Sequence, residues 1–442
     1  MLPVIDSVTA LGVVAMIDYH DATGSYYEGE MLDSLKNIYR YLCDKYKNNT
    51  YVWFNIANEP GNDNKEINKW LHQHREVIKV VRDEKQADNL IVVDGIYWAQ
   101  EFDASVWVSG GANELVKTEN TSIIAHGHEL LSFNDKTYDN IVFSIHNYDK
   151  LNGGRGKGFI TQDRANIKLL DLMQQITDKN YALIIGEFGT SEVPDEYDNL
   201  HFPEGSKASI NVSTLMNIGR VWWAWAGVDA LDLVVEDGTN GGGKFIDDWF
   251  APKNLSTAGA MVWDMTHWFL DLQAPGLPYA TVDDSTSNSV TIDIVGGKDD
   301  IETVGFKVFV NGTFHSYAPN KEIVVSGLTP GTTYDIQVVA YDYALNASEM
   351  SAAVKVTTLG PNALDKPEYA EVTIYPNPVN NQLYITGLQT KSDVNLMDIS
   401  GKVVYSSYYQ SPVNTIGLDI SFLKPGVYFI NISGQETKLT KR

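Results

Sequence analysis

The stretch Phe54-Asn55-Ile56-Ala57-Asn58-Glu59-Pro60 begins as an apolar strand and ends in an amide, an acid and a proline. Residues 51–56 are rich in aromatic and β-branched side chains, which favours a buried strand. Pro60 cannot donate a hydrogen bond to a β-ladder, so the strand must end before it. Glu59 is therefore predicted at the carboxyl end of a buried strand, where parallel α/β proteins bind their ligands.

A second apolar run, Tyr181-Ala-Leu-Ile-Ile-Gly-Glu187-Phe-Gly189, also ends in a carboxylate, here beside glycines. The Asn-Glu-Pro tripeptide alone fits a plain strand end as well as a site. Two strand-end glutamates in one α/β layout are what glycoside hydrolysis by a pair of carboxylates requires. The glycines leave room for a sugar ring, and Asn58 has an amide that can donate to a sugar hydroxyl beside Glu59.

The length, composition and net charge of the chain limit which kinds of protein and partner are possible. It has 442 residues, 43% of them hydrophobic, which indicates roughly two to four globular domains. The net charge of -24 argues against nucleic acid or an anionic membrane surface as partner and fits an acidic protein acting on a neutral polymer. Cys43 is the only cysteine, so we expect a buried, inert thiol. We expect no membrane span, and no signal peptide is visible.

Apolar strands alternate with amphipathic helices over residues 10–272. We count six strands, and such alternation indicates repeated βα units around a parallel sheet. A closed barrel of this type needs eight strands. We therefore predict an α/β fold, a (β/α)8 TIM barrel lacking its first two βα units, in an N-terminally truncated chain. The competing interpretation is an open sheet of six strands.

The sequence changes character at about residue 275, where short alternating segments replace the helical periodicity. This pattern predicts two small all-β sandwich domains after the barrel. The predicted boundaries are 1–274 for the barrel, 275–359 for the first sandwich, 360–369 for a linker and 370–442 for the second sandwich. The turn Gly327-Leu-Thr-Pro-Gly331 resembles the one that leads into the sixth strand of a fibronectin type III domain.

Three motifs follow one another in the last segment: Tyr375-Pro-Asn-Pro-Val379, Asp398-Ile-Ser-Gly-Lys402 and Leu423-Lys-Pro-Gly-Val-Tyr428. With the basic tail behind them, they resemble the C-terminal sorting domain read by the type IX secretion system of Bacteroidetes-type bacteria. The resemblance implies a secreted or cell-surface protein that has the type IX machinery as a partner.

The barrel segment, over residues 10–272, resembles glycoside hydrolase family 5. In that family the glutamate of the Asn-Glu-Pro motif is the acid/base and the glutamate of the seventh barrel strand is the nucleophile, which implies these roles for Glu59 and Glu187. The segment His20-Asp-Ala-Thr-Gly24, and Trp98 with Gln100, resemble the endo-β-1,4-mannanase branch. The resemblance implies that the following residues bind substrate: Asn58, His20, His146, Tyr148, Trp98 and Trp225.

The expected protein is thus a retaining endo-β-1,4-mannanase that acts on a β-linked polysaccharide. An endo-β-1,4-glucanase and a non-catalytic glycan-binding protein at the cell surface are the alternatives. We expect no cofactor and no metal. The run 238–244 imitates a phosphate loop without its Ser or Thr, and neither Asp299-Asp300 nor Asp283-Asp284 has the ligand spacing of a calcium loop.

Overall fold

The chain is described here from a computed structural model, which covers residues 2–62, 66–101, 121–148, 162–189, 203–224, 233, 255–266, 271–360, 373–388, 392–399, 402–409, 413–432 and 435–442. These residues form two compact units. Unit 1 consists of Met1–Thr281, Asp293–Ile323 and Asp335–Val354. Unit 2 consists of Val282–Ile292, Val324–Tyr334 and Lys355–Arg442. No helix in the described ranges is long and apolar enough to cross a membrane.

Unit 1 contains a six-stranded parallel sheet whose strands lie side by side in chain order, β1-β2-β3-β6-β7-β8. A two-stranded hairpin, β4-β5, stands apart from it. This arrangement confirms the predicted α/β class with a parallel sheet, and the described residues contain the predicted six parallel strands. The strands up to this point are β1 Ala15–Asp18, β2 Val52–Asn55, β3 Ile91–Asp94, β4 Ser132–Phe133, β5 Lys136–Thr137, β6 Ile141–Asn147, β7 Leu183–Phe188 and β8 Gly219–Trp222.

Helices connect these strands, as the alternating pattern predicts. They are α1 Leu2–Ala10, α2 Gly29–Tyr46, α3 Ile67–Lys79, α4 Ile123–His126, α5 His128–Leu131, α6 Gln162–Thr177, α7 Pro203–Met216 and α8 Thr257–Thr266. Helix α3 continues into a π-helical turn, Val80–Glu84. On α2 the apolar residues recur every three or four positions and are buried together, as an amphipathic helix requires. Cys43 lies on this face, and burial raises the pKa of its thiol to about 11, which keeps it inert.

The core of unit 1 is built on the inner strands and the helices that cover them. Trp70, Tyr39, Phe54 and Phe143 are its largest fully buried side chains. The same cluster includes Tyr343, from well beyond residue 275. Hydrophobic packing in unit 1 therefore continues past the last barrel helix.

All described regular structure beyond residue 275 is β-sheet, as predicted. Over residues 278–357 the sheets have the orders β13-β10-β9 and β12-β11-β14-β15, and over 373–441 they have the orders β16-β17-β20 and β19-β18-β21-β22. The last two sheets surround a core that contains Leu383, Leu396 and Ile430. The strands are β9 Pro278–Ser285, β10 Val290–Gly296, β11 Thr303–Val310, β12 Thr313–Ala318, β13 Glu322–Val325, β14 Thr333–Asp342, β15 Val354–Thr357, β16 Thr373–Tyr375, β17 Gln382–Leu388, β18 Ser392–Asp398, β19 Val403–Tyr409, β20 Val413–Asp419, β21 Gly426–Ile432 and β22 Gln435–Lys441.

Candidate active site

The candidate site lies at the carboxyl ends of four neighbouring parallel strands. Glu59 stands a few residues beyond β2, with a φ of 48°, which residues other than glycine rarely adopt. Its backbone N–H donates to Asp94 Oδ2 at 3.0 Å, so the end of β3 fixes the turn that carries Glu59. Glu187 lies near the end of β7, where it is the register partner of His146 on β6. The parallel sheet thus brings these residues to one edge.

The two predicted glutamates meet around one imidazole. His146 Nδ1 lies 2.9 Å from Glu59 Oε1 and 3.3 Å from Glu187 Oε2. One carboxylate oxygen from each glutamate and a ring nitrogen of His146 all lie within 4.8 Å of one another. Tyr148 donates its hydroxyl to Glu187 Oε2 at 2.8 Å. The glutamate side chains keep 13% and 12% exposure while His146 has 1%, so only the carboxylates remain accessible to a ligand.

Asp94 is a member of this cluster that the sequence analysis missed. It is fully buried, and its Oδ2 lies 3.3 Å from His146 Nε2. One aspartate therefore holds both the backbone of Glu59 and the far side of the His146 ring. In the sequence Asp94 only follows the apolar run Leu90-Ile-Val-Val93, and nothing local separates it from an ordinary residue at the end of a strand.

Burial and charge set the protonation of the cluster. Burial by itself lowers the pKa of His146, but the carboxylates of Asp94, Glu187 and Glu59 together outweigh it and raise that pKa to about 10. Burial raises the pKa of Glu187 to about 7, while the charge of His146 opposes the rise. Burial likewise raises the pKa of Asp94, again against His146. The imidazole is thus a cation at neutral pH, surrounded by acids.

A second group of polar side chains surrounds Asn58. Its amide nitrogen lies 3.2 Å from His20 Nε2 and donates to Thr23 Oγ1 at 3.0 Å. His20 Nδ1 lies 2.8 Å from Asp18 Oδ2, and the His20 ring stacks on Trp223 with 5.2 Å between centroids. The amide donor that the sequence analysis assigned to a sugar hydroxyl is therefore engaged within the protein.

Two tryptophans, Trp98 and Trp225, are predicted from the sequence to bind substrate. Trp98 packs against Gly24, where an added Cβ would lie 2.6 Å from the indole Nε1. Gly24 in turn donates its N–H to the carbonyl oxygen of Glu59 at 2.8 Å, so Trp98 is tied to the same edge. Trp225 lies outside the described residues. Trp223 was not predicted as a site residue, because alternation along the strand does not show which ring faces His20.

Gly186, next to Glu187, packs closely against side chains of β6. An added Cβ there would lie 2.1 Å from Ser144 Oγ and 3.2 Å from His146 Nε2. Such distances are too short for a real Cβ to adopt without displacement of a neighbour. The glycine therefore leaves the space that Ser144 and the buried His146 occupy.

These features define an α/β protein whose parallel strands end at a pair of accessible carboxylates, a layout that glycosidases use. Residues 2–229, just over half of the chain, match the family model Cellulase (glycosyl hydrolase family 5). The chain belongs to this family. Residues 373–442 match the model of a secretion system C-terminal sorting domain.

Similar proteins include both mannanases and endoglucanases. A mannan endo-1,4-beta-mannosidase of Cellvibrio japonicus is 24% identical over 52% of this chain and 46% of its own length. Endoglucanase EG-II of Hypocrea jecorina is 22% identical over 54% of this chain and 53% of its own length. The chain thus spans about half the length of these curated relatives. The solved catalytic domain of an endoglucanase from Thermobifida fusca aligns with 59% of this chain and 72% of its own, at 20% identity and a TM-score of 0.42.

Proposed function

We propose that the protein is an endo-acting β-glycan hydrolase that retains the anomeric configuration, with Glu59 as acid/base and Glu187 as nucleophile. The observation that carries the proposal is the approach of their carboxylate oxygens to within 4.8 Å. Retaining glycosidases hold the two carboxyl groups about 5 to 5.5 Å apart, whereas inverting enzymes need about 6.5 to 9.5 Å to admit a water.

Each acid then has one task in each half of the reaction. Glu187 attacks the anomeric carbon while Glu59 gives its proton to the leaving glycosidic oxygen, which yields a glycosyl-enzyme. Glu59, now ionised, next takes a proton from water, and the resulting hydroxide displaces Glu187. The protein residues around the pair support these tasks: Tyr148 donates to Glu187, and His146 is held between both acids.

The pH dependence of the rate follows from Glu187. A nucleophile must be ionised, and burial raises the pKa of Glu187 to about 7. Protonation below that pH removes the nucleophile, so kcat/KM is expected to fall about tenfold per pH unit below about 6. Because Glu59 and Glu187 both lie beside His146, the pH–rate profile reflects the titration of these interacting groups together and not of one residue. The measurement is kcat/KM from pH 4 to 9 on a soluble glycan.

Tyr148→Phe provides the matched test of this explanation. The hydroxyl of Tyr148 lowers the pKa of Glu187, so its removal should move the acid limb to higher pH. Tyr138→Phe is the control, because the Tyr138 hydroxyl contacts Asp83 instead, at 3.1 Å. An acid limb that stays in place in Tyr148→Phe would contradict the assignment of that limb to Glu187.

We infer mannan as the substrate, with β-1,4-glucan as the second candidate. The preference is supported by the likeness of the His20 and Trp98 segments to the mannanase branch, whereas the relatives include both activities at similar identity. Initial rates of reducing-end release on mannan and on carboxymethylcellulose test this. A faster rate on mannan supports the proposal, and the reverse order supports the glucanase. Binding to either polymer without release of reducing ends would support the non-catalytic alternative.

We propose that residues 275–359 form a fibronectin type III-like domain between the catalytic and sorting segments. We also propose that the type IX system exports the protein to the cell surface or beyond. Export is supported by the three motifs of the last segment and by the family match over 373–442. In a type IX-competent host, with the same signal peptide fused to both chains, the full chain should be exported and removal of residues 373–442 is expected to keep the protein inside the cell. Appearance of this shortened chain in the medium would contradict the proposal, with the full chain as control.

A further inference from the structure

Unit 1 holds an acidic cluster separate from the paired glutamates. Asp271, Asp299 and Asp300 each place a carboxylate oxygen within 4.8 Å of the others. Asp271 follows the segment of α8, while Asp299 and Asp300 lie between β10 and β11. Two distant segments of the chain therefore bring three negative charges to one place.

The carboxylates are fixed in position but incompletely paired. Asp271 is 7% exposed; its Oδ1 accepts a hydrogen bond from the Gln273 N–H at 3.0 Å, and its buried Oδ2 has no hydrogen-bond partner among the described residues. Asp299 repeats the arrangement: its Oδ2 accepts from the Ile301 N–H at 3.0 Å, and within the same described ranges its buried Oδ1 has no hydrogen-bond partner. A buried carboxylate oxygen without a donor or a cation carries a large desolvation cost.

A shell of amides holds these acids in place. The Gln273 side chain donates to Asp300 Oδ2 at 2.7 Å, so one residue orients two of the acids. Asn346 donates its side-chain amide to the Gln273 carbonyl at 2.9 Å. Asp342, fully buried, accepts from the Asn346 N–H at 2.8 Å, and its Oδ2 is a third buried carboxylate oxygen without a hydrogen-bond partner among the described residues. Metal-binding carboxylates are commonly oriented by hydrogen bonds of this kind.

Among the described residues, none of these four aspartates forms an ion pair with a basic side chain. The cluster thus has negative charge, buried oxygens and hydrogen-bonded support, and no basic side chain in the described part of the chain pairs with it.

We propose that Asp271, Asp299 and Asp300 bind a Ca²⁺ ion. The donors are carboxylate oxygens, which hard cations prefer, and the cluster holds no histidine or cysteine of the kind that zinc sites use. Ca²⁺ accepts irregular sets of six to eight oxygens, whereas Mg²⁺ demands a near-ideal octahedron. The sequence alone predicts no metal here, because Asp299-Asp300 lacks the ligand spacing of a calcium loop. The ligands here come from separate segments, which a loop pattern does not detect.

The ion would tie the chain after α8 to the loop between β10 and β11. Through Gln273 and Asn346 it would also hold the segment that follows β14. All of these residues belong to unit 1. The expected effect of Ca²⁺ is therefore on the stability of this unit and not on the chemistry of the paired glutamates.

Direct binding to the full 442-residue chain tests the proposal. After removal of metals with a chelator, calorimetric titration with CaCl₂ should give one ion per chain. At about a hundred times the dissociation constant, Ca²⁺ should raise the midpoint of thermal unfolding by roughly 3 to 5 °C, and the same concentration of Mg²⁺ should raise it less. Asp299→Asn and Asp300→Asn should each weaken binding at least about tenfold.

Two further variants make the test specific. Asp293→Asn removes a charge from an exposed aspartate of the same unit and should leave binding unchanged. Glu187→Gln should also leave it unchanged, although Glu187 lies among other potential ligand atoms. Asp300 is exposed, so its variant should fold even where a change at buried Asp271 does not. The proposal is overturned if the unmutated chain binds no Ca²⁺, if Asp299→Asn and Asp300→Asn bind like Asp293→Asn, or if Glu187→Gln removes binding.

Discussion

Glu187→Ala is expected to reduce turnover on polysaccharide by at least about 10⁴-fold, because no glycosyl-enzyme forms without the nucleophile. The fold should persist, since the Glu187 side chain contacts groups that have other partners, including His146 beside Asp94. The measurement is kcat from initial rates with purified protein. Glu30→Ala is the control, because Glu30 is an exposed acid in the first turn of α2 and its loss should leave kcat unchanged.

Azide distinguishes loss of the nucleophile from general damage to the site. In Glu187→Ala the small anion can occupy the space of the missing carboxylate and attack the anomeric carbon directly. Turnover of an activated aryl glycoside should partly recover, and the glycosyl azide should have the inverted anomeric configuration, since one displacement replaces two. Rescue with retained configuration, or full activity of Glu187→Ala without azide, would show that another group is the nucleophile.

The two glutamates and the sheet that carries them were predictable from local sequence. An apolar run that ends in an acid next to proline or glycine specifies a strand, its end and the acid at that end, all within about ten residues. Helical periodicity between such runs then specifies a parallel sheet. The six-stranded sheet and the meeting of Glu59 with Glu187 follow from these short-range rules.

Features that depend on pairing between distant residues were not predictable in this way. Asp94 is a strand-end aspartate in sequence, and only the structure places it 3.3 Å from His146. The sequence does not show what the Asn58 side-chain amide contacts, whereas in the fold its nitrogen lies beside His20 and donates to Thr23. The Asp271 cluster likewise depends on contact between segments that share no local pattern. Burial and hydrogen-bond partners depend on the tertiary structure, so local sequence patterns do not reveal them.

Glu59→Ala is expected to act in a way that depends on the leaving group. A glycosidic oxygen in polysaccharide must be protonated as it departs, and general acid catalysis contributes roughly 10²- to 10⁴-fold. On polysaccharide the variant should therefore lose about that factor in kcat/KM. On an aryl glycoside with an activated leaving group, formation of the glycosyl-enzyme should be slowed less than about tenfold, because the departing phenolate needs no proton. Its hydrolysis then becomes rate-limiting, so a burst of phenolate should precede a slow steady state.

The two variants together decide which acid has which role. Burial raises the pKa of Glu187 to about 7, a value that would also suit an acid, so exchanged roles are the competing outcome. If the roles were exchanged, Glu187→Ala would spare activated aryl glycosides and Glu59→Ala would stop all substrates. Asp94→Asn provides a structural control, because it disturbs the backbone of Glu59 and the His146 ring without removing either glutamate. It should lower the rate on both kinds of substrate by a similar factor, whereas Glu59→Ala should separate them. Equal losses on polysaccharide and aryl glycoside in Glu59→Ala, without a burst, would remove Glu59 from the role of acid/base.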